Sequence, residues 1–448
     1  MVFQTPSFSA THKRSFAKPR SADVSLGLLI FLFVLFAGYG PAFGFAGQLR
    51  YAEVALIAVG LFYYDKFHER VDPLEWKLSG LFLLTAVAQL ISNAVNSAPM
   101  GSSIARVGTY VLLAALIPIV AVLVNRDWRR LLAIIFGYAA SYAIVWSSAS
   151  SINDNFEELP WRLGLGAAAT LAIVSLFGLM PRARLGLTLA LFALSGLHLY
   201  LSSRSLAVIT MLVAIYCLVA TIAGRKKPAD FSARSLTTML LALCMFVYAG
   251  PLAVNWLASS RLLPENLVTK NQLQAANSYG FLAAARPDTF TALYAISKRP
   301  ILGYGSGVFD AEVFSFYAEV NAASYRDAHL SRSVFKNIYS QDWLLGIPSH
   351  SHVFGAWADA GVIAALSWFF VIWIDLKMLA RLWRWGHPLA PLFAFVGIAS
   401  LWDIVFSPGP IRLDVAIRMV VIAAAFRIFT QYDTMAARPN ALSQRAPQ

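Results

Sequence analysis

The chain has 448 residues, of which 58% are hydrophobic and only 13% are charged, and its mean hydropathy is +0.62. A soluble domain of this length needs a larger polar surface, so the composition excludes an ordinary soluble enzyme or binding domain. The formal net charge of +13 would suggest a nucleic acid partner for a soluble protein. Most basic residues here flank apolar runs, which favours membrane topology and contact with membrane lipids, with no nucleic acid partner.

Apolar runs long enough to cross the ~30 Å hydrocarbon core of a bilayer recur along the chain. We therefore predict an all-α polytopic membrane protein with about 12 transmembrane helices, or about 11 where connections are tight. The two cysteines, Cys217 and Cys244, fall inside apolar runs and predict neither a metal site nor a disulfide. The predicted spans cover 25–43, 48–64, 76–95, 107–124, 129–147, 164–180, 185–201, 205–223, 236–257, 352–375, 388–407 and 412–430.

Most of the 36 Lys and Arg residues lie in the two terminal tails and in alternate connections such as NRDWRR and GRKKPADFSAR. Positively charged segments stay in the cytoplasm, so both termini are expected there, and the first apolar run is interpreted as an uncleaved span. The predicted parts are a disordered cytoplasmic tail (1–24), a membrane part of about nine spans (25–257), one large outer loop (258–351), a membrane part of about three spans (352–430) and a cytoplasmic tail (431–448).

The large outer loop contains the segment RPDTFTALYAISKRP, residues 286–300. Pro287 suits the first turn of a helix, and larger side chains then recur at helical spacing. We expect an amphipathic helix that lies at the outer membrane interface and ends at Pro300. The residues that define its predicted face are Phe290, Leu293, Tyr294 and Ser297.

Two arginines on the outer side are candidates for binding an anion. Arg204 lies in the very short connection YLSSRSLAV, where the positive-inside rule disfavours a cation. Arg286 opens the loop helix, and its planar guanidinium suits phosphate oxygens. The alternatives are a snorkelling side chain at Arg204 and a solvated helix end at Arg286.

His350 and His352 stand at the start of the predicted span 352–375. A histidine pair at this spacing is compatible with metal binding, but no neighbouring Cys, His or Asp supplies the further ligands, so no metal is assigned. A histidine that faces two arginines is also suited to act as a general base. An ordinary interfacial histidine is the remaining alternative.

The glycine-rich stretch GYGSG, residues 303–307, follows a helix and a proline. A nucleotide-binding fingerprint follows a strand, so this stretch does not predict nucleotide binding. We expect a tight turn that lets the backbone approach a ligand or a neighbouring helix, with Tyr304 as a candidate site-lining residue.

Ionisable residues inside predicted spans also suggest function. Arg418 and Asp403 either line a cavity or hold helices together. Glu53 is near enough in sequence to pair with Arg50.

Several segments together resemble the O-antigen ligase and polymerase superfamily, the Wzy/WaaL-like membrane glycosyltransferases. They are the Ser-Arg of SSRS at Arg204, the helix opened by Arg286, the run RPILGYGSGVF after it, and the long outer loop that contains both. The family has a Pro-hydrophobic-Leu-Gly-x-Gly-x-Gly-x-Phe run, and residues 300–309 match it with two small slips.

The start of the span after the loop, PSHSHVFGAWADAG, extends this resemblance. The family has a His-Asn, an acidic residue nine positions after the His and a Gly two positions beyond that. His350, Asp359 and Gly361 fit this spacing, while Ser351 stands at the Asn position and Asp359 replaces the usual Glu. The resemblance covers residues 200–361.

The resemblance implies a GT-C-like fold in the bacterial inner membrane and an active site that faces the periplasm. It implies inverting transfer of a glycan from undecaprenyl diphosphate to an acceptor hydroxyl, without a metal, cofactor or nucleotide sugar. Arg204 and Arg286 would bind the diphosphate and His350 would be the catalytic base, whereas Asp359 is expected to be structural. The further candidate site-lining residues are His352, Tyr304, Arg418 and Asp403.

The implied partners are an undecaprenyl-diphosphate-linked oligosaccharide, a glycan or lipid-core acceptor, and proteins of polysaccharide chain-length control or export. Polymerisation of exopolysaccharide or O-antigen repeat units is the first hypothesis, and ligation to a lipid core is the alternative. Two other classes remain open. A flippase for lipid-linked oligosaccharides would function without His350, and a non-enzymatic assembly partner would tolerate alanine at Arg204 and His350.

Overall fold

A computed structural model of the chain describes residues 25–36, 49–148, 161–178, 184–201, 203–222, 286–325, 347–382, 387–407 and 412–443, with a few single residues between them. Helices and their connecting turns make up the fold within these ranges. The first helices are α1 (Leu26–Phe36), α2 (Tyr51–Phe62), α3 (Phe67–Arg70), α4 (Pro73–Val95), α5 (Met100–Val124), α6 (Trp128–Ser148), α7 (Gly166–Gly178), α8 (Arg184–Tyr200) and α9 (Arg204–Ile222). The later helices are α10 (Pro287–Lys298), α11 (Ala311–Tyr325), α12 (His352–Leu382), α13 (Ala390–Phe406) and α14 (Arg412–Ser443).

Helices α1, α2, α4 to α9 and α12 to α14 fall on predicted spans. The predicted span 236–257 lies outside the described residues, apart from two single positions. Among the described helices, α4, α5, α9 and α12 are long and apolar enough to cross a membrane. Shorter apolar helices cover Ala52–Phe62, Gly166–Phe177, Arg184–Tyr200 and Ala390–Phe406. Together these features indicate a helical membrane protein.

Two helices begin earlier than their apolar runs predict because polar residues cap or extend them. Asp72 is the N-cap of α4, and its backbone N–H donates to the Glu75 carboxylate at 2.7 Å, which forms a capping box ahead of the apolar segment. The helix α5 begins at Met100, so its first two turns include Arg106. Hydropathy alone does not detect such polar first turns.

The centre of the bundle is the contact between α4 and α12, with α5 and α14 packed beside α4. The buried rings of Phe82 and Trp368 meet edge to face with centroids 5.1 Å apart. The same contact contains a buried hydrogen bond of 2.7 Å between the hydroxyls of Thr85 and Ser367. Small polar groups of this kind are typical of helix contacts in membranes, where they are satisfied across the interface.

Ion pairs join the helices at both ends of the bundle. At one end, Asp72 lies between Arg427 of α14, at 2.7 Å, and Arg126 after α5, at 3.1 Å. At the other end, Arg412 binds the Glu53 carboxylate with two hydrogen bonds of 2.5 and 2.6 Å. Glu53 also contacts Arg50, whose backbone N–H donates to Oε2 of the Glu53 carboxylate at 3.0 Å in the capping box of α2, so this carboxylate binds both Arg412 and the start of its own helix.

Candidate functional site

Several elements converge at the end of the bundle that carries the C-terminus of α4 and the N-termini of α5, α9 and α12. We call this end the site end. The loop helix α10 packs here against α12 through a face of small side chains, including the fully buried Ala292 and Ala295. Of the residues predicted to form its face, Leu293 and Ser297 are exposed and Phe290 is half-buried, whereas Tyr294 stacks on Phe316 of α11 with ring centroids 4.4 Å apart. The helix predicted between Arg286 and Pro300 is thus present, but its buried face is formed by Ala292, Ala295 and Ile296 and not by the four predicted residues.

The first turn of α10 places a carboxylate against His350. The Nδ1 atom of His350 lies 2.5 Å from Oδ2 of Asp288. The Asp288 side chain is 11% exposed, whereas that of His350 is 40% exposed. A second contact fixes the same segments, because the Thr289 hydroxyl donates to the Ser349 carbonyl at 3.1 Å. His350 itself has a positive φ of 37°, so the chain turns sharply at this residue.

The electrostatics of Asp288 keep this carboxyl ionised. Burial alone would raise the pKa of Asp288, but hydrogen bonds from His350 and Tyr317 and the charge of a protonated His350 outweigh that effect and lower the pKa below its ordinary value of 3.8. Tyr317 belongs to α11 and is itself buried. When the His350 ring is neutral, an ionised carboxylate beside Nδ1 fixes the tautomer that carries the proton on Nδ1, and the Nε2 lone pair can then accept a proton.

The two arginines predicted to bind an anion meet at the same end. Arg286 is the N-cap residue of α10, and its Nη2 atom donates to the Ser205 hydroxyl at 3.4 Å. Ser205 directly follows Arg204, the first residue of α9. The structure therefore brings the Arg204 turn next to Arg286. Because Asp288 lies two residues after Arg286, both cationic segments adjoin the His350–Asp288 pair.

The GYGSG turn docks into a break in α12. Gly361 has φ 77° and ψ −174°, which interrupts the helix, and the turn pairs with the backbone on both sides of this residue. The N–H groups of Tyr304 and Gly305 donate to the carbonyls of Ala358 and Asp359, both at 2.8 Å. The Val362 N–H donates in return to the Pro300 carbonyl at 3.1 Å. The prediction that the glycines let the backbone approach a neighbouring helix is confirmed.

Polar side chains of α4 hold the other edge of this turn. Asn93 accepts a hydrogen bond of 2.8 Å from the Ser306 N–H, and Gln89 donates to the Ser306 hydroxyl at 3.0 Å. The buried ring of Tyr304 joins the small cluster beneath α10, and the Arg299 guanidinium lies 4.5 Å from its centroid. Tyr304 therefore packs in the buried cluster that supports α10, next to the candidate site.

Asp359 connects neighbouring helices to α12 close to the helix break at Gly361. Its carboxylate is buried and forms an ion pair of 2.9 Å with Arg106 of α5. The Ser92 hydroxyl donates to the Asp359 backbone carbonyl at 2.8 Å. Asp359 therefore binds α4 and α5 to the first half of α12 and does not contact His350, in agreement with the structural role expected for it.

The remaining candidates occupy different surroundings. His352 is buried, and its ring centroid lies 4.9 Å from that of Trp368, so it packs in the core while His350 stays partly exposed. Arg418 pairs with Asp403 at 2.6 Å and with Asp414 at 2.8 Å. These contacts join α13 to α14, which matches the helix-holding alternative for Arg418 and Asp403.

Three residues of this arrangement were not identified from the sequence: Asp288, Arg106 and Tyr317. Asp288 lies in the first turn of α10, where acidic residues are common because they stabilise the start of a helix. Its position in the sequence therefore gives no sign of a histidine partner. Arg106 lies just before a predicted span, where a cation is usually interpreted as a flanking charge. Among the described residues, His, Cys, Asp and Glu form no group of three or more that could hold a metal ion.

Comparison of the chain with protein-family models, curated proteins and solved structures gave no match. A functional assignment therefore depends on the placement of Arg204, Arg286, Asp288 and His350 and on the resemblance of the motifs that contain them.

Proposed function

We propose that the protein transfers a glycan, with inversion, from undecaprenyl diphosphate to an acceptor hydroxyl. The transfer occurs at the outer face of a bacterial inner membrane, in a GT-C-like bundle of about 12 spans with both termini in the cytoplasm. The observation that carries the proposal is the His350–Asp288 pair at 2.5 Å, which adjoins a turn that contains two arginines. A general base and cationic groups for a leaving phosphate are the two requirements of such a transfer.

The base step uses the Nε2 atom of His350. Asp288 holds the Nδ1 proton, so Nε2 accepts the proton of the acceptor hydroxyl as its oxygen attacks the anomeric carbon. The carboxylate also stabilises the imidazolium that forms, as the acid does in other histidine–carboxylate pairs. Attack from the face opposite the leaving group inverts the anomeric centre. His350 then releases the proton to solvent, which its partial exposure permits.

The leaving-group step uses the arginines. As the bond between the anomeric carbon and the phosphate oxygen breaks, the electron pair stays on the lipid diphosphate and adds negative charge. Arg286 and Arg204 supply fixed positive charge at the same end of the bundle. Their guanidinium groups match phosphate oxygens in geometry and remain charged at every physiological pH.

The outer apolar face of α10 gives the lipid donor a place to approach. Leu293 is exposed and Phe290 is half-buried, while Tyr294 stacks on Phe316 of the neighbouring helix α11. A helix with this face lies at a membrane interface, where a polyprenyl chain is in the hydrocarbon and its diphosphate is at the headgroup level. The N-terminus of α10, with Arg286 and Asp288, is then at the depth of the diphosphate.

The acceptor decides between a polymerase and a ligase. We assign polymerisation of exopolysaccharide or O-antigen repeat units as the activity, because the family that the motifs resemble contains many polymerases.

Purified protein in liposomes would be given lipid-linked oligosaccharide with and without a lipid core. A ladder of lengthened glycans without the core supports a polymerase, and a single transfer that requires the core identifies a ligase. Movement of the lipid across the bilayer with no transfer would contradict both and identify a flippase.

A further inference from the structure

Tyr317 is a buried side chain of α11 that no step of the proposed transfer uses. It is 4% exposed, and Val313 and Val320, four positions before it and three after it, are fully buried. This spacing places the three side chains on one face of α11, which packs against the rest of the protein. A tyrosine hydroxyl on such a face loses its contact with water and needs a hydrogen-bond partner inside the protein.

The face of α10 that Tyr317 meets is the face that carries Asp288. Ala292 and Ala295 belong to the same buried cluster as Tyr317, and both are fully buried. Because they follow Asp288 by four and seven positions, the three side chains lie on one face of α10. The Tyr317 ring therefore packs beside the first turn of α10.

The Tyr317 ring also meets the segment that carries His350. Ile347 belongs to the same buried cluster and lies three residues before His350. The Tyr317 hydroxyl is hydrogen-bonded to the Asp288 carboxylate, whose Oδ2 atom lies 2.5 Å from Nδ1 of His350. An ionised carboxylate can only accept hydrogen bonds, so Tyr317 is the donor. The carboxylate is thus held from two sides, by the histidine and by the tyrosine.

Contacts on the exposed side fix α11 in this position. Lys298 in the last turn of α10 pairs with Glu312 in the first turn of α11 at 2.7 Å. Tyr294 of α10 stacks on Phe316 of α11 with ring centroids 4.4 Å apart. The position of Tyr317 is therefore set by helix packing that does not depend on its own hydrogen bond.

We propose that Tyr317 is a positioning residue for the base, an inference that rests on the proposed function. Its hydroxyl holds the Asp288 carboxylate in the orientation in which Oδ2 faces Nδ1 of His350. Without this hydrogen bond the carboxylate turns more freely about its side-chain torsions, and it fixes the tautomer of His350 less well. Tyr317 acts on the acceptor hydroxyl only through these two residues.

The first test is kinetic. Tyr317→Phe removes the hydroxyl and keeps the ring, so the packing of the cluster is retained. In the liposome transfer assay it should lower kcat about tenfold and leave KM for the lipid donor unchanged, because a residue that orients the base does not bind the donor. Tyr279→Phe is the matched control, since it removes a tyrosine hydroxyl bonded to Glu319 of the same helix, and its kcat should equal that of the wild type. A wild-type kcat in Tyr317→Phe would overturn the positioning role.

The second test is a double-mutant cycle on stability, which needs no transfer activity. Tyr317→Phe should lower the melting midpoint of the otherwise wild-type protein in detergent, because the Asp288 carboxylate loses a donor. In an Asp288→Ala protein the same change should leave the midpoint unchanged or raise it, because it then removes a buried hydroxyl that has lost its acceptor. Equal losses in both backgrounds would overturn the proposal, since the hydroxyl would then bond elsewhere.

The two tests distinguish failure of this proposal from failure of the proposed function. A non-additive cycle in a folded protein that transfers no glycan would refute the proposed function, while the bond between Tyr317 and Asp288 would stand. Additive losses in a protein that does transfer glycan would refute the role of Tyr317 alone. If Asp288→Ala does not fold, the comparison of kcat between Tyr317→Phe and Tyr279→Phe decides.

Discussion

His350 and Asp288 are joined by a contact of 2.5 Å between Nδ1 and Oδ2, although the two residues lie far apart in the chain. Asp288 is held by the first turn of α10, and His350 is held by the turn that precedes α12. The pairing therefore depends on the docking of α10 onto α12. Any change that separates these helices should impair the reaction even when both side chains remain.

Removal of the base should stop transfer with little effect on binding of the donor lipid. His350→Ala should lower kcat by at least about 10²-fold, the usual contribution of a general base. Asp288→Asn should also lower kcat, because an amide can no longer hold the Nδ1 proton and fix the tautomer. Rates are measured as glycan transferred per protein in liposomes.

The exposed His68 provides the matched control, since His68→Ala removes a histidine remote from the site. Its rate should equal that of the wild type. A transfer rate in His350→Ala within threefold of the wild type would exclude His350 as the base.

The guanidinium geometry of Arg286 should matter beyond its charge. Arg286→Lys keeps a cation but loses the planar fork, so it should recover only part of the activity that Arg286→Ala loses. Loss of one such donor lowers rates by about 10²-fold or more in comparable sites. The same assay with Arg129→Ala, which changes an exposed arginine at the opposite end, controls for net charge. Full activity of Arg286→Ala would rule out the proposed contact with the diphosphate.

Gly361 should be the least replaceable glycine of the described chain. It has a positive φ, and a Cβ atom there would lie 1.8 Å from the Ile301 carbonyl oxygen. Gly361→Ala should therefore expel the GYGSG turn and destabilise the fold by roughly 3 kcal/mol or more. Gly80→Ala is the control, because nothing lies within 4 Å of its added methyl. Equal melting midpoints of the two variants in detergent would show that the turn is not docked as described.

The buried ion pair of Arg412 and Glu53 should be costly to break from one side. Glu53→Gln leaves a buried guanidinium without its counter-charge and should destabilise the protein by about 3–5 kcal/mol. The exposed pair of Lys298 and Glu312, at 2.7 Å, is the contrast, and Glu312→Gln should change stability by less than about 1 kcal/mol. Thermal unfolding followed by size-exclusion chromatography distinguishes the two, and similar losses would contradict the burial of Arg412.

The pH dependence of stability should reveal the lowered pKa of Asp288. Because the folded-state pKa lies below the ordinary 3.8, ionisation of Asp288 stabilises the fold above that value, and this contribution disappears as the pH falls through the folded-state pKa. The difference in melting midpoint between wild type and Asp288→Asn should shrink as the pH falls below 3.8 and through the folded-state pKa. A difference that grows in acid would mean that Asp288 is not stabilised as a carboxylate.

Much of the fold could be predicted from the sequence because apolar length determines where helices can lie. Hydropathy misses the start of α4, although Asp72, Pro73 and Glu75 form a capping-box signature that marks it in the sequence. The start of α5 has no such signature, and its polar first turn is invisible to hydropathy. The break at Gly361 could not be located either, because a single glycine in a helical pattern is compatible with an unbroken helix.

Within the candidate site, the sequence indicated His350, Arg204 and Arg286 through their types and positions. It did not reveal Asp288 or Arg106, because each partner is selected by tertiary contact. The pairings of Asp288 with His350 and of Arg106 with Asp359 depend on where the loop docks. Spacing along the chain carries no information about such contacts.

The most direct test of the central claim is the release of glycan from undecaprenyl diphosphate by purified protein in liposomes. Wild type, His350→Ala, Asp288→Asn and His68→Ala would be compared with acceptor present and absent. Acceptor-dependent release with an inverted anomeric centre, abolished in His350→Ala and reduced in Asp288→Asn, is the predicted result. Release at the wild-type rate in both site variants, or no release by a folded wild type supplied with donor and acceptor, would contradict the assignment of this site to glycan transfer.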